Sequence, residues 1–248
     1  MNGARPLLLF LLAAACQDTT DVVAPERTGP PVVRVSIPPM GYLVQRLVGE
    51  AAIVEVALPD GSDPVLWRPR AEGVIAFQEA DLVVLNGARL ERWADAVSLP
   101  DNRVVRAANG FREQWITFEK EVRHRHGPEG EHSHKGVNPY TWIDPVLAGR
   151  QAEAIRAALA RTLPADKLTE PARVLAGQFA KLDERLRALP KGRLQSDQPA
   201  LAYLAQRYGW TVAEDGVPVD LDLGLARGAD LLAAMQANLE RLTAALGR

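Results

Sequence analysis

The strongest constraint on this chain is how little of it remains after one long helical pattern ends. Leu175, Phe179, Leu182, Leu186 and Leu189 recur in a 4, 3, 4, 3 register that lays one apolar face along a helix, and Pro190 stops it. Only Lys191 to Arg248 follows. Its last part carries a second stripe, Leu232, Met235, Leu239, Leu242 and Leu246, in a 3, 4, 3, 4 register. A strand–helix–strand unit needs roughly 30 residues or more. The region after Pro190 therefore cannot carry a sheet like the one the first half can build. It offers a helix over Ala200 to Tyr208, a short strand at Trp210-Thr211-Val212 and an Asp/Pro-rich loop from Gly216 to Gly224. Both leucine stripes are core.

The first half has the composition for a full sheet. Val32 to Ile37 reads as a β-branched strand stopped by Pro38-Pro39, and Tyr42 to Val48 as a short helix ended by Gly49. Ile53 to Leu58 is a second strand, closed by Pro59-Asp60-Gly61. A helix over Ala71 to Glu79 leads to the strand Leu82 to Leu85, after which Asn86-Gly87 turns into a helix carrying Leu90 and Trp93. Asn102 to Arg106 adds a fourth strand. Strands alternating with helices at this spacing predict a parallel sheet with helices on its faces. Farther on, Asp144 is a natural N-cap with Pro145 at the first helical position. Ala148, Ala152, Ile155 and Leu159 form the apolar face of that helix.

The N-terminus stands apart from this pattern. Arg5, the apolar run Pro6 to Leu12 and the small residues Ala13-Ala14-Ala15 before Cys16 read as an export signal with a lipobox-like cysteine. Cys16 is the only cysteine, so no internal disulfide can form, and it is the candidate lipidation site. The expected organisation is a signal over 1–16, a tether over 17–31, an α/β lobe over 32–120 and a His-rich loop over 121–141. Helices including the long connecting one follow over 142–190, and a reduced second lobe over 191–248. A net charge of −2 and a pI near 6.1 lack the basic stripe that nucleic-acid binding requires.

All four histidines lie between Glu121 and Pro145. His124 and His126 form one His-x-His pair, His132 and His134 another. Neutral imidazole is the commonest metal ligand, and such a pair in a mobile loop can close on one ion. The competing reading is a solvated loop of biased composition, since Glu119, Glu121, Glu129 and Glu131 share it with Arg123, Arg125 and Lys135. No catalytic constellation appears: Asp215, Asp220 and Asp222 have no histidine partner, and the chain has no Gly-rich phosphate cradle. A binding protein is expected, not an enzyme.

Several motifs, in order along the chain, resemble one family. They are Val35-Ser36-Ile37-Pro38-Pro39, Leu58 to Pro64, Ala80 to Gly87 with Leu90-Glu91-x-Trp93, Trp142-Ile143-Asp144-Pro145, Tyr203-Leu204-Ala205-x-Arg207-Tyr208-Gly209, and Met235-x-x-Asn238-Leu239-x-x-Leu242. Together they resemble the zinc/manganese-binding solute receptors of bacterial ABC importers. The resemblance implies a two-lobed periplasmic-binding-protein-like α/β fold joined by a long helix, here with a reduced second lobe. It also implies a monomer working with an ABC permease, an anchor in a membrane through lipidated Cys16, and Zn²⁺ or Mn²⁺ held in the cleft by three histidines and a carboxylate.

None of those cleft histidines is present. Their positions match Val65, Tyr140 and Gln198, and only Asp222 (or Asp220) is a candidate for the carboxylate. Valine cannot coordinate, and tyrosine and glutamine offer neutral donors. A tight zinc site needs three or four N, S or carboxylate ligands. The cleft is thus expected to be altered or vestigial, Asp222 to cap a loop, and the four histidines to contact metal weakly. The alternative is a module that binds a surface partner or a small organic solute through Trp67, Tyr140, Trp142 and Gln198.

Overall fold

A computed structural model describes residues 29–125 and 131–247, with backbone alone over 119–125 and 131–135. Cys16, the expected signal and His126 lie outside the described residues. Strand β1 (Val32–Val35) runs parallel to β2 (Ile53–Val56) on one side and to β3 (Leu82–Leu85) on the other, and β4 (Val104–Arg106) pairs beyond β3. The sheet order is β2-β1-β3-β4. Every residue of β3 is buried, as an unbroken apolar run in a doubly covered parallel sheet should be.

Parallel neighbours need crossovers, and α1 (Pro38–Val48) and α2 (Ala71–Glu79) supply two of them. Helix α1 starts four residues before the expected Tyr42. The two prolines read as a strand stop form its first turn, where a missing N–H breaks no bond. The helix expected around Leu90 and Trp93 is only a 3-10 turn, Arg92–Asp95. Gly87, Ala88 and Arg89 precede it with φ of +80°, +47° and +65°, so none of the three can be part of a right-handed helix.

The segment expected as a His-rich loop is an antiparallel hairpin of β5 (Thr117–Arg125) and β6 (Glu131–Val137), with a register irregularity between Phe118 and Val122. Helix α3 (Pro145–Leu159) follows. The Asp144 side chain caps it, accepting from the Val146 and Leu147 N–H groups at 2.9 and 3.2 Å. Asp144 is also bonded to Arg207, so one carboxylate both starts α3 and ties it to the second lobe. The long helix α4 (Ala165–Arg187) buries Leu168, Leu175, Phe179, Leu182 and Leu186 along one stripe.

Beyond it lie β7 (Arg193–Gln195), α5 (Leu201–Tyr208), β8 (Thr211–Val212), β9 (Val217–Pro218) and α6 (Leu231–Leu246). Here β8 lies at the expected short strand, whereas β7 was not expected and β9 falls inside the loop expected from Gly216 to Gly224. The three short strands form a parallel sheet in the order β8-β7-β9. The link from β8 to β9 passes so close to β7 that a Cβ on Gly216 would lie 2.4 Å from the Leu194 carbonyl carbon. One apolar cluster runs through both lobes, from Val35 and Leu43 through Tyr140 and Trp142 to Leu182, Leu194 and Leu242.

Candidate functional site

Among the positions expected to line a cleft, Tyr140 and Trp142 are buried and Val65, Trp67 and Gln198 are partly buried. Tyr140 and Trp142 have no exposed surface, and their rings stand 5.3 Å apart within the shared core. Burial, helped by the neighbouring Asp63 charge, pushes the Tyr140 phenol far above its usual range, so it stays protonated at neutral pH. Asp63 is itself buried, and its Oδ1 accepts the Val65 N–H at 2.8 Å. That bond makes a local turn. The Val65 side chain packs against the main core, and Trp67 meets Trp93 edge-on at 5.9 Å.

Gln198 uses both ends of its amide on one backbone unit. Its Nε2 donates to the Leu221 carbonyl at 2.9 Å, and its Oε1 accepts the Leu221 N–H at 2.6 Å. Trp142 Nε1 donates to the Leu223 carbonyl at 2.9 Å. Between these two anchors, Asp222 is exposed, and its Oδ1 accepts the Gly224 N–H at 2.9 Å. Asn238 holds the Asp222 backbone through both its amide atoms, at 2.8 Å each. Asp222 thus makes a local side-chain bond within its own loop. Among the described residues no group of three His, Cys, Asp or Glu side chains could hold a metal ion. The aromatics offered as a lining for an organic solute are packed instead.

A buried polar network behind this region was not anticipated. The Asn86 side chain donates to the carbonyls of Gly87 and Pro139 at 2.9 and 3.0 Å and accepts from Gln151 at 2.9 Å, linking the end of β3 to α3. Glu91, almost wholly buried, accepts from the Ser36 hydroxyl at 2.6 Å and from the Asn86 and Gly87 N–H groups at 2.7 and 3.0 Å. Burial pushes its carboxyl above the usual range, against the pull of these donors. The sequence signal was present, since Asn86-Gly87 and Glu91 belong to one quoted motif, but their partners lie up to 65 residues away.

The hairpin places the histidines differently from an open loop. The Cα of His124 is paired with that of His132, and Val122 is paired with His134. His124, His132 and His134 therefore share one parity of the ribbon, because positions two apart on a strand and directly opposite across it belong to the same face.

A family model described as zinc-uptake complex component A, periplasmic, matches residues 33–245. The chain is 28% identical over 242 residues to the zinc-binding lipoprotein AdcA of Streptococcus pneumoniae, covering 93% of this chain and 46% of that one. It is 26% identical over 219 residues to the high-affinity zinc uptake system protein ZnuA of Bacillus subtilis, covering 81% and 66%. The chain spans about half the length of the first of these relatives. Among solved structures, the Zn(II)-bound ZnuA-like domain of S. pneumoniae AdcA aligns with a TM-score of 0.70 at 16% identity, over 89% of this chain and 100% of that one. That likeness establishes the two-lobed fold.

Proposed function

The chain belongs to the family of periplasmic zinc-uptake component A proteins, and from that premise we propose that it is an exported metal receptor of a bacterial ABC importer. In this reading the hairpin gathers Zn²⁺ and the cleft no longer encloses it. The observation that carries the reading is the contrast between the two places. At the cleft, Gln198 is committed to Leu221, and Tyr140 is a buried, protonated phenol. On the hairpin, His124, His132 and His134 occupy one parity of a two-stranded ribbon. His126, the fourth member of the set, is two residues beyond His124 in sequence.

Imidazole suits zinc better than manganese, which favours carboxylate, carbonyl and water. A few histidines on a ribbon, without a closed cage, support contact in the micromolar range rather than a sealed tetrahedral site. The protein works as a monomer that meets an ABC permease and is held to a membrane by lipidated Cys16. Its task is to bind, not to catalyse.

The test is a calorimetric zinc titration of the wild-type chain beside a variant with His124, His126, His132 and His134 all changed to alanine. The expected result is micromolar binding that the variant lacks and that fades below about pH 6, as imidazoles with an ordinary pKa of about 6.5 protonate. Unchanged zinc stoichiometry in the variant would sink the hairpin assignment and send the search back to the cleft.

A further inference from the structure

The left-handed turn at Gly87-Ala88-Arg89 is free of penalty only at the glycine. At alanine and arginine it is unfavourable and has to be imposed by its surroundings. Those surroundings are visible. The Gly87 N–H is held by Glu91, the Leu90 N–H closes on the Gly87 carbonyl at 3.0 Å, and a Cβ at residue 87 would come within 3.0 Å of Asn109. The consequence is that Arg89 lines a pocket of about 190 Å³ beside the ends of β3 and β4. In open parallel sheets, ligands collect outside the carboxyl ends of the strands.

Two more guanidinium groups line the same pocket. Arg106 is the last residue of β4, and Arg112 lies over the Trp115 ring at 5.5 Å. Their counter-charge is thin. Asp95 stands 3.8 Å from Arg89 and 3.5 Å from Arg106, both beyond ordinary N–H···O distance, and among the described residues Arg112 has no ion pair. Glu91 reaches the pocket as well, but its oxygens already accept from Ser36, Asn86 and Gly87. Three guanidinium forks thus face one loosely held, exposed carboxylate.

We propose that this pocket binds a small polyanion with two or more carboxylate or phosphate groups, gripped by Arg89, Arg106 and Arg112. The planar fork of arginine matches either group with paired donors. The volume lies below the roughly 300–1,000 Å³ of pockets that enclose drug-sized ligands, which restricts the occupant to a small ion. None of the lining residues belongs to the hairpin or to the substituted cleft positions, so the site stands whether or not the hairpin gathers zinc.

The experiment titrates citrate and, separately, inorganic phosphate into the full-length chain after metals have been stripped on a chelating resin, beside Arg106→Gln and Arg112→Gln. Saturable binding of at least one probe is expected. It should weaken about tenfold or more in either variant and fall as sodium chloride is raised. Citrate binding alone would assign the site to polycarboxylates, and phosphate binding alone to phosphate groups. Arg112 is exposed and stacks on a neighbouring ring, so Arg112→Gln should keep the wild-type melting temperature, and it serves as the deciding variant if Arg106→Gln unfolds. No binding of either probe to the wild type, or unchanged affinity in Arg112→Gln, overturns the proposal.

Discussion

Trp142 reaches the second lobe through the Leu223 carbonyl, and Gln198 braces Leu221 within that lobe. Trp142→Phe keeps the apolar ring but strands the buried Leu223 carbonyl. The loss should be about 1–3 kcal/mol, read from the shift in urea midpoint at unchanged slope. Glu91 supports a prediction of pH dependence. Its folded-state pKa is raised, so relative to a non-titrating side chain it favours the folded state most at pH below about 4.5, its ordinary value. That advantage declines as pH rises toward the folded-state value. Wild-type stability minus that of Glu91→Gln should therefore fall with rising pH, by at most about 1.4 kcal/mol per unit, and then level off. A difference that grows with pH would contradict this reading of Glu91. Residue type alone disclosed that Val65 could not be a ligand and that Asp222 was better suited to capping. It could not disclose what Gln198 does, because Leu221 is 23 residues away and is brought near only by the folded second lobe.

Elements with strong local signals were legible and short ones were not. Helix α2 and strand β3 lie at the expected residues, the strand being a continuous apolar run. Asp144-Pro145 marked the start of α3 because the cap chemistry is local. Strand β7 escaped notice since Arg-Leu-Gln has a single apolar residue, and its pairing with β8 and β9 comes from tertiary contact. The hairpin was hidden by its composition, in which charged residues and histidines mask the period of two. The small sheet makes its own prediction. Gly216→Ala would push a methyl group into the Leu194 carbonyl, 2.5 Å from its oxygen, where no flexible side chain can yield. It should cost about 1–3 kcal/mol and lower the melting temperature.

At the scale of the whole molecule, two lobes share one core. Phe179 and Leu182 of the long helix sit in the same apolar cluster as Val35 of the first sheet and Leu194 of the second. The chain should therefore unfold in one cooperative transition, with calorimetric and van't Hoff enthalpies equal. Two separable transitions would mean that the lobes are independent. Because the cluster is completed by Leu239 and Leu242 of the final helix, its earliest strands wait for its last residues. A ribosome delivers this chain from the amino end, so the sequence as far as Leu242 must emerge before the core can close. Until then β1 to β4 hold an unfinished apolar face, and a nascent chain stalled short of Leu231 should be a substrate for chaperones and proteases rather than a smaller folded protein.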